Sequence, residues 1–331
     1  MKAFFIGAGA SQGTLGGKSG CPPVAAEFGR MLAERCDLAS DFPALAMVVA
    51  HLGVPLFQLG LEQIWTCIDY YAKLSRVMPV PPVWCGVNAS RDLRKALLRL
   101  YGRSCDQAAE QLPISHDYTL GHVLGEQVQS GDIIISFNYD TLIERLAIRF
   151  GHKLRMVCSS MRPDIVHLAK PHGSTSWVMD FASRTVTTSA ADGSPLIDSL
   201  AEEDVERRRE PLVLGAVPIK SELIREVQVH YGWPEVFEVV VTQWRAVVAA
   251  VRDAAEIIVV GYGFPSEDQY GRFLLREAAR LRSSPLRVEY YQVRARAGST
   301  AASIIDAFGT PGIQLNWRGE VEPPVPVSED A

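Results

Sequence analysis

No stretch of this chain is long and apolar enough to cross a bilayer. The longest apolar run, residues 44–50, stops at His51, Gly53 and Pro55, far short of the ~18 residues a span needs. Cysteine is sparse as well. Cys21, Cys36, Cys67, Cys85, Cys105 and Cys158 include no pair at zinc-ribbon spacing, and the 7 histidines show no ligand spacing. The sequence therefore predicts free thiols, a reducing cytoplasmic compartment and no metal. Charge of one sign is not in excess: 33 basic residues against 38 acidic leave a formal −5, so the chain has no electrostatic reason to seek nucleic acid or an anionic membrane. The apolar opening ends at Gly7, too short for a secretory leader, and reads as a buried first strand. No internal repeat is visible.

What the chain has is core. Apolar residues make up 47% and charged residues 21%, which excludes disordered, collagen-like and coiled-coil chains. A length of 331 residues suits a large α/β core carrying a second lobe.

Short apolar runs at 3–6, 133–135, 257–260 and 288–291 suit strands buried on both faces. Helical patterns follow the first three, at 24–35, 141–150 and 268–281. That alternation predicts an α/β fold with a doubly wound, Rossmann-like parallel sheet. Residues 42–106 read as a helical insertion broken by Pro79, Pro81 and Pro82. Residues 177–232 read as a smaller irregular insertion that opens with a hairpin around Ser183 and Arg184. The predicted core is then 1–41, 107–176 and 233–320, including a long helix at 233–255, with 321–331 a mobile tail. Arg207, Arg208 and Arg209 lie among acids and read as a solvated face without function.

Four clusters sit where these strands run out. Gly7, Ala8, Gly9, Ala10 and Ser11 follow the first strand; they suit either backbone amides near a pyrophosphate with a hydroxyl donor beside them, or a tight strand-to-helix turn. Gln12 stands where a dinucleotide fingerprint has its third glycine, and Gly13, Gly16, Gly17 and Gly20 suggest a longer flexible loop. Asn138 and Asp140 follow the second strand, placed for a ligand, although Asp140 also suits a helix cap. His172, between Pro171 and Gly173, reads as an exposed turn histidine able to take a proton from a sugar hydroxyl. Gly261 and Tyr262, before Gly263, Phe264 and Pro265, offer a second close backbone approach or a second tight turn, with Ser266, Glu267 and Asp268 capping the next helix.

In this order the four clusters resemble the sirtuin-like superfamily, in particular its bacterial NAD-hydrolase branch associated with anti-phage defence. The likeness spans about residues 1–291. Protein-deacylating sirtuins carry two Cys-x-x-Cys pairs after the His-Gly; here Gly173 is followed by Ser174, Thr175, Ser176 and Trp177. The resemblance therefore implies metal-independent hydrolysis of NAD to ADP-ribose and nicotinamide. It implies that Ser11 and the amides of Gly7, Ala8, Gly9 and Ala10 hold the phosphates. Asn138 orients the water and the nicotinamide ribose, Asp140 holds the carboxamide end, His172 acts on the ribose hydroxyls, and Gly261 with Tyr262 lines the adenosine side. Because a freely active NAD hydrolase harms its own cell, the reading also expects a homo-oligomer and a regulatory or activating protein partner. The alternatives are an NAD-dependent protein deacylase, and a non-catalytic sensor or assembly module that holds NAD or ADP-ribose.

Overall fold

The computed structural model describes residues 1–15, 22–23, 25–74, 86–157, 161–213, 234–266, 268–292, 294–309 and 313–320. The loop expected at 16–20, the proline break at 79–82, Cys21, Cys85, Cys158, His230, Glu267 and the tail 321–331 lie outside the described residues.

Ten strands follow in chain order: β1 (Lys2–Ile6), β2 (Ile133–Ser136), β3 (Leu154–Met156), β4 (Val166–Ala169), β5 (Gly173–Asp180), β6 (Thr185–Thr187), β7 (Arg209–Val213), β8 (Glu256–Val260), β9 (Arg287–Tyr291) and β10 (Gln314–Gly319). Seven of them form one parallel sheet in the order β10-β9-β8-β1-β2-β4-β3, and β6-β5-β7 form a small antiparallel sheet. The opening strand is thus the centre of the large sheet: Phe4 lies opposite Ile134 of β2 on one side and Ile258 of β8 on the other. Phe4, Ile134 and Ile258 have no exposed surface. Each such side chain contributes about 1.5–3 kcal/mol of transfer free energy, which is why these strands are apolar at successive positions rather than at alternate ones.

Helices flank the large sheet. Directly after β1 comes α1 (Ala8–Leu15), where the sequence suggested a flexible glycine loop and the first helix only at residue 24. Residues 25–27 form a short 3-10 turn, and then α2 (Phe28–Arg35), α3 (Leu38–Asp41), α4 (Pro43–Leu52), α5 (Leu61–Leu74) and α6 (Gly86–Tyr101) build a layer around an apolar cluster of their own. Phe28 and Leu32 are fully buried in that cluster, so by packing the helical layer begins ahead of residue 42. The chain returns to the sheet at β2 through α7 (Arg103–Glu110) and α8 (Thr119–His122), and α9 (Leu142–Arg149) then leads from β2 to β3.

After the short α10 (Glu202–Glu206), α11 (Pro234–Asp253) packs on β1 and β4, and α12 (Gln269–Arg280) and α13 (Arg294–Phe308) follow β8 and β9. The chain winds outward from β1 through β2, then crosses to β8 on its other side. That reversal opens a crevice at the carboxyl ends of β1 and β8, where open α/β sheets receive ligands.

Candidate active site

A cavity of about 650 Å³ opens at this reversal. Ala8, Gly9, Asn138, Asp140, His172, Gly261 and Tyr262 line it, so seven of the ten expected site residues meet there. Gly7, Ala10 and Ser11 are not on its wall.

The first cluster is held differently from the phosphate loop the sequence suggested. Gly7 N–H donates to Val260 O at 3.0 Å, Gly9 N–H to Gly261 O at 3.1 Å and Ala10 N–H to Gly7 O at 2.9 Å, so three of the expected amides are engaged within the protein. The turns after β1 and β8 interlock. A Cβ on Gly261 would stand 2.1 Å from Ala10 N, and Gly261 has φ +58; only glycine fits the crossing. Ser11 is fully buried. Its hydroxyl donates to Asp140 Oδ1 at 3.2 Å and accepts from Asn138 Nδ2 at 2.8 Å, which puts it behind the site as a link between two of its members.

The link sets the second cluster. With Nδ2 given to Ser11, the buried Asn138 Oδ1 has no protein partner. Asp140 Oδ1 also accepts from Leu142 N–H at 3.1 Å, in the first turn of α9, so ligand placement and helix capping coincide at one carboxylate. Burial pushes the Asp140 carboxyl up to about 6 against the pull of Lys170. Lys170 Nζ donates to Glu144 Oε1 and to the backbone oxygen of Asp140, each at 2.6 Å, in a wholly buried ion pair beneath the loop. Between them, the oxygen of Tyr139 accepts from Thr175 N–H at 2.9 Å, Thr175 Oγ1 at 3.1 Å and Ser174 Oγ at 3.3 Å. The Tyr139 ring meets Tyr101 of the helical layer edge-on at 5.6 Å.

His172 departs from its expected exposure: it is buried, 8% exposed. The chain does not end in a free turn there but enters β5 at once, with Gly173 at φ +83 and a built Cβ only 2.0 Å from Leu212 O of β7. Phe137 stands edge-on to the imidazole at 5.1 Å and Trp244 of α11 lies 6.1 Å away. Nε2 meets Asp268 Oδ2 at 3.0 Å. Asp268, which the sequence marks only as a helix cap, does cap α12, accepting from Gly271 N–H at 3.1 Å, but it also lines the cavity. Tyr262 stacks on Phe137 with ring centres 4.0 Å apart and reaches Asp268 with its hydroxyl at 3.4 Å. Burial, then the neighbouring Asp268, raises the Tyr262 phenol well above its ordinary value.

Sequence reasoning also missed Glu62 and Tyr101 on the helical wall and Gln292, Thr300 and Ser303 on the α13 side. Glu62, Tyr101, Thr300 and Ser303 lie within helices and not at strand ends, so no strand-end signal marks them, while Gln292 directly follows the apolar run of β9. Three carboxylates line the cavity, Glu62, Asp140 and Asp268, and no lysine or arginine does among the described residues. No group of three or more His, Cys, Asp or Glu that could hold a metal occurs among those residues either, and no described helix is long and apolar enough to cross a membrane. Comparison with protein-family models finds no match, and comparison with curated proteins finds none.

Proposed function

We propose that this cavity binds NAD and hydrolyses its nicotinamide–ribose bond, releasing ADP-ribose and nicotinamide. The observation that carries the reading is the convergence of Asn138, Asp140 and His172, from the ends of β2 and β4, on one cavity at the β1–β8 reversal. Cleavage of that bond passes through an oxocarbenium-like ribose, so the site has to hold the sugar, admit one water and exclude other nucleophiles. The C1′–N bond breaks with its electron pair going to nicotinamide, which leaves neutral from a cationic ring without a general acid. A water then bonds to C1′ and releases its proton to solvent.

Asn138 Oδ1, a buried acceptor without a protein partner, accepts a hydrogen bond from that water. Asp140 accepts from the carboxamide, and His172 takes and returns a proton at the ribose hydroxyls. The diphosphate lies at the N-terminus of α1, where Ala8 and the helix dipole face it. In this reading the protein supplies anti-phage defence by depleting NAD, and its control falls to assembly or to a protein partner.

The test is nicotinamide and ADP-ribose release from NAD by the purified protein, with Asn138→Ala as control and with and without acyl-lysine peptides. Release by the parent, lost in the variant and indifferent to peptide, supports hydrolysis. O-acyl-ADP-ribose as product overturns it in favour of deacylation, and calorimetric NAD binding without release overturns it in favour of a sensor or assembly module.

A further inference from the structure

We propose that Asp268 is a positioning residue for His172, its carboxylate fixing the plane and the tautomer of the imidazole that works on the substrate. The inference rests on the reading of His172 as the group that acts at the ribose, and it adds a member that the order of motifs does not contain. Asp268 is 3% exposed. A helix cap alone does not call for that: capping takes one acceptor oxygen, and serine, threonine or asparagine supplies it without burying a charge. Here Oδ1 serves the cap on Gly271, while Oδ2 is turned toward the cavity, 3.0 Å from His172 Nε2 and 3.4 Å from the Tyr262 hydroxyl.

The imidazole is confined to match. Phe137 closes on it at an interplanar angle of 71° and Trp244 at 53°, so rings from β2 and α11 bound its position, and the carboxylate sets its rotation. In a neutral ring the nitrogen that faces a carboxylate carries the proton and the other carries the lone pair. Asp268 therefore puts the proton on Nε2 and the base on Nδ1. The backbone reaches the same end: Gly261 is bonded to β9 through Tyr291 O at 3.1 Å and to α1 through Gly9 N–H, so the turn that delivers Asp268 is anchored on both sides.

The test uses Asp268→Asn and Asp268→Ser, both of which keep a capping oxygen for Gly271 and so keep α12. Two readouts are taken on the full chain. The first is the ring ¹⁵N signals of His172 in ligand-free protein, assigned by their loss in His172→Gln; this does not depend on what the protein turns over. The second is nicotinamide release from NAD. In the parent the signals are expected to show a protonated Nε2; in both variants they move toward a mixture of tautomers. Turnover falls by roughly 10- to 100-fold in kcat, with KM within about threefold, the pattern of a group that acts through another. Unchanged ring signals in both variants overturn the proposal, whatever the rates do. A KM effect without a kcat effect overturns it too, since Asp268 would then be a binding group. If the parent releases no nicotinamide, the NAD reading falls, and the ring signals by themselves decide whether Asp268 holds the histidine.

Discussion

The two lips of the cavity use the same device to different ends. On each, an aspartate placed just before a helix accepts a backbone N–H of that helix's first turn: Asp140 from Leu142 and Asp268 from Gly271. Both are buried and both line the cavity. The α9 lip binds its carboxylate to a hydroxyl that in turn holds an amide, Ser11 and Asn138, above the Lys170–Glu144 ion pair. The α12 lip binds its carboxylate to an imidazole and a phenol. One lip keeps a fixed dipole in place, the other holds a titratable ring. A cap seen in sequence says nothing of which, because the deciding partner comes from elsewhere in the chain.

The comparison is sharpened most by removing the working group of each lip. His172→Ala and Asn138→Ala should each lower NAD turnover on the order of 10²–10⁴-fold, measured as nicotinamide release with the fold checked by circular dichroism. Loss in only one of them would mean that a single lip carries the chemistry. Next in size, Lys170→Met leaves Glu144 charged and buried without its partner. Urea denaturation should show about 3–5 kcal/mol of lost stability, and parent-like stability would remove the ion pair as the support of the α9 lip.

Asp140→Asn should act on stability in the opposite direction. The folded carboxyl titrates near 6 against an ordinary 3.8, so the stability it contributes is complete below about pH 4 and is lost as pH rises through 6. At pH 7.5 the asparagine variant should be the more stable on the order of 1–3 kcal/mol, and at pH 3.5 the two should coincide. A constant offset across that range would mean that Asp140 is not the titrating group. The smallest effect belongs to Tyr262→Phe, which keeps the stack on Phe137 and drops the 3.4 Å contact to Asp268. At 3.4 Å this hydrogen bond to the carboxylate is long and worth about 0.5–1.5 kcal/mol, less than about 15-fold in turnover; a larger fall would move the weight of the α12 lip from the imidazole to the phenol.

Most of the strands legible in the sequence are buried on both faces; β9, buried at alternate positions, is the exception. β1, β2, β8 and β9 appear as apolar runs, while β10, exposed along most of its length at the sheet edge, carries Asn316, Arg318 and Gln314 and resembles a loop. β7 was hidden behind Arg207–Arg209, which belong to the turn and start of a strand. The helix α1 escaped because Gly9 and Gly13 are poor helix formers; what holds it is the crossing with the turn after β8, a contact with no local trace. Asn138, Asp140 and His172 were legible because they are polar residues just beyond apolar strand runs, His172 between a proline and a glycine. The burial of His172 was not, because it depends on β5 pairing with β7, and neither was the second task of Asp268, whose partner lies 96 residues away.

The place of β1 at the centre of the sheet has a consequence for how the protein is made. β1 leaves the ribosome ahead of both neighbours and waits first for β2, which starts at residue 133, and then for β8, which starts at residue 256. At about 5–20 residues per second, that second wait is roughly 12–50 s. Phe4 and Ile6 belong to a strand with both edges bare until β2 is made and with one bare edge until β8 is, a state in which a nascent chain is exposed to wrong pairing and to chaperones. The cavity, whose floor is the interlock of Gly9 with Gly261, forms only after residue 261 has been made.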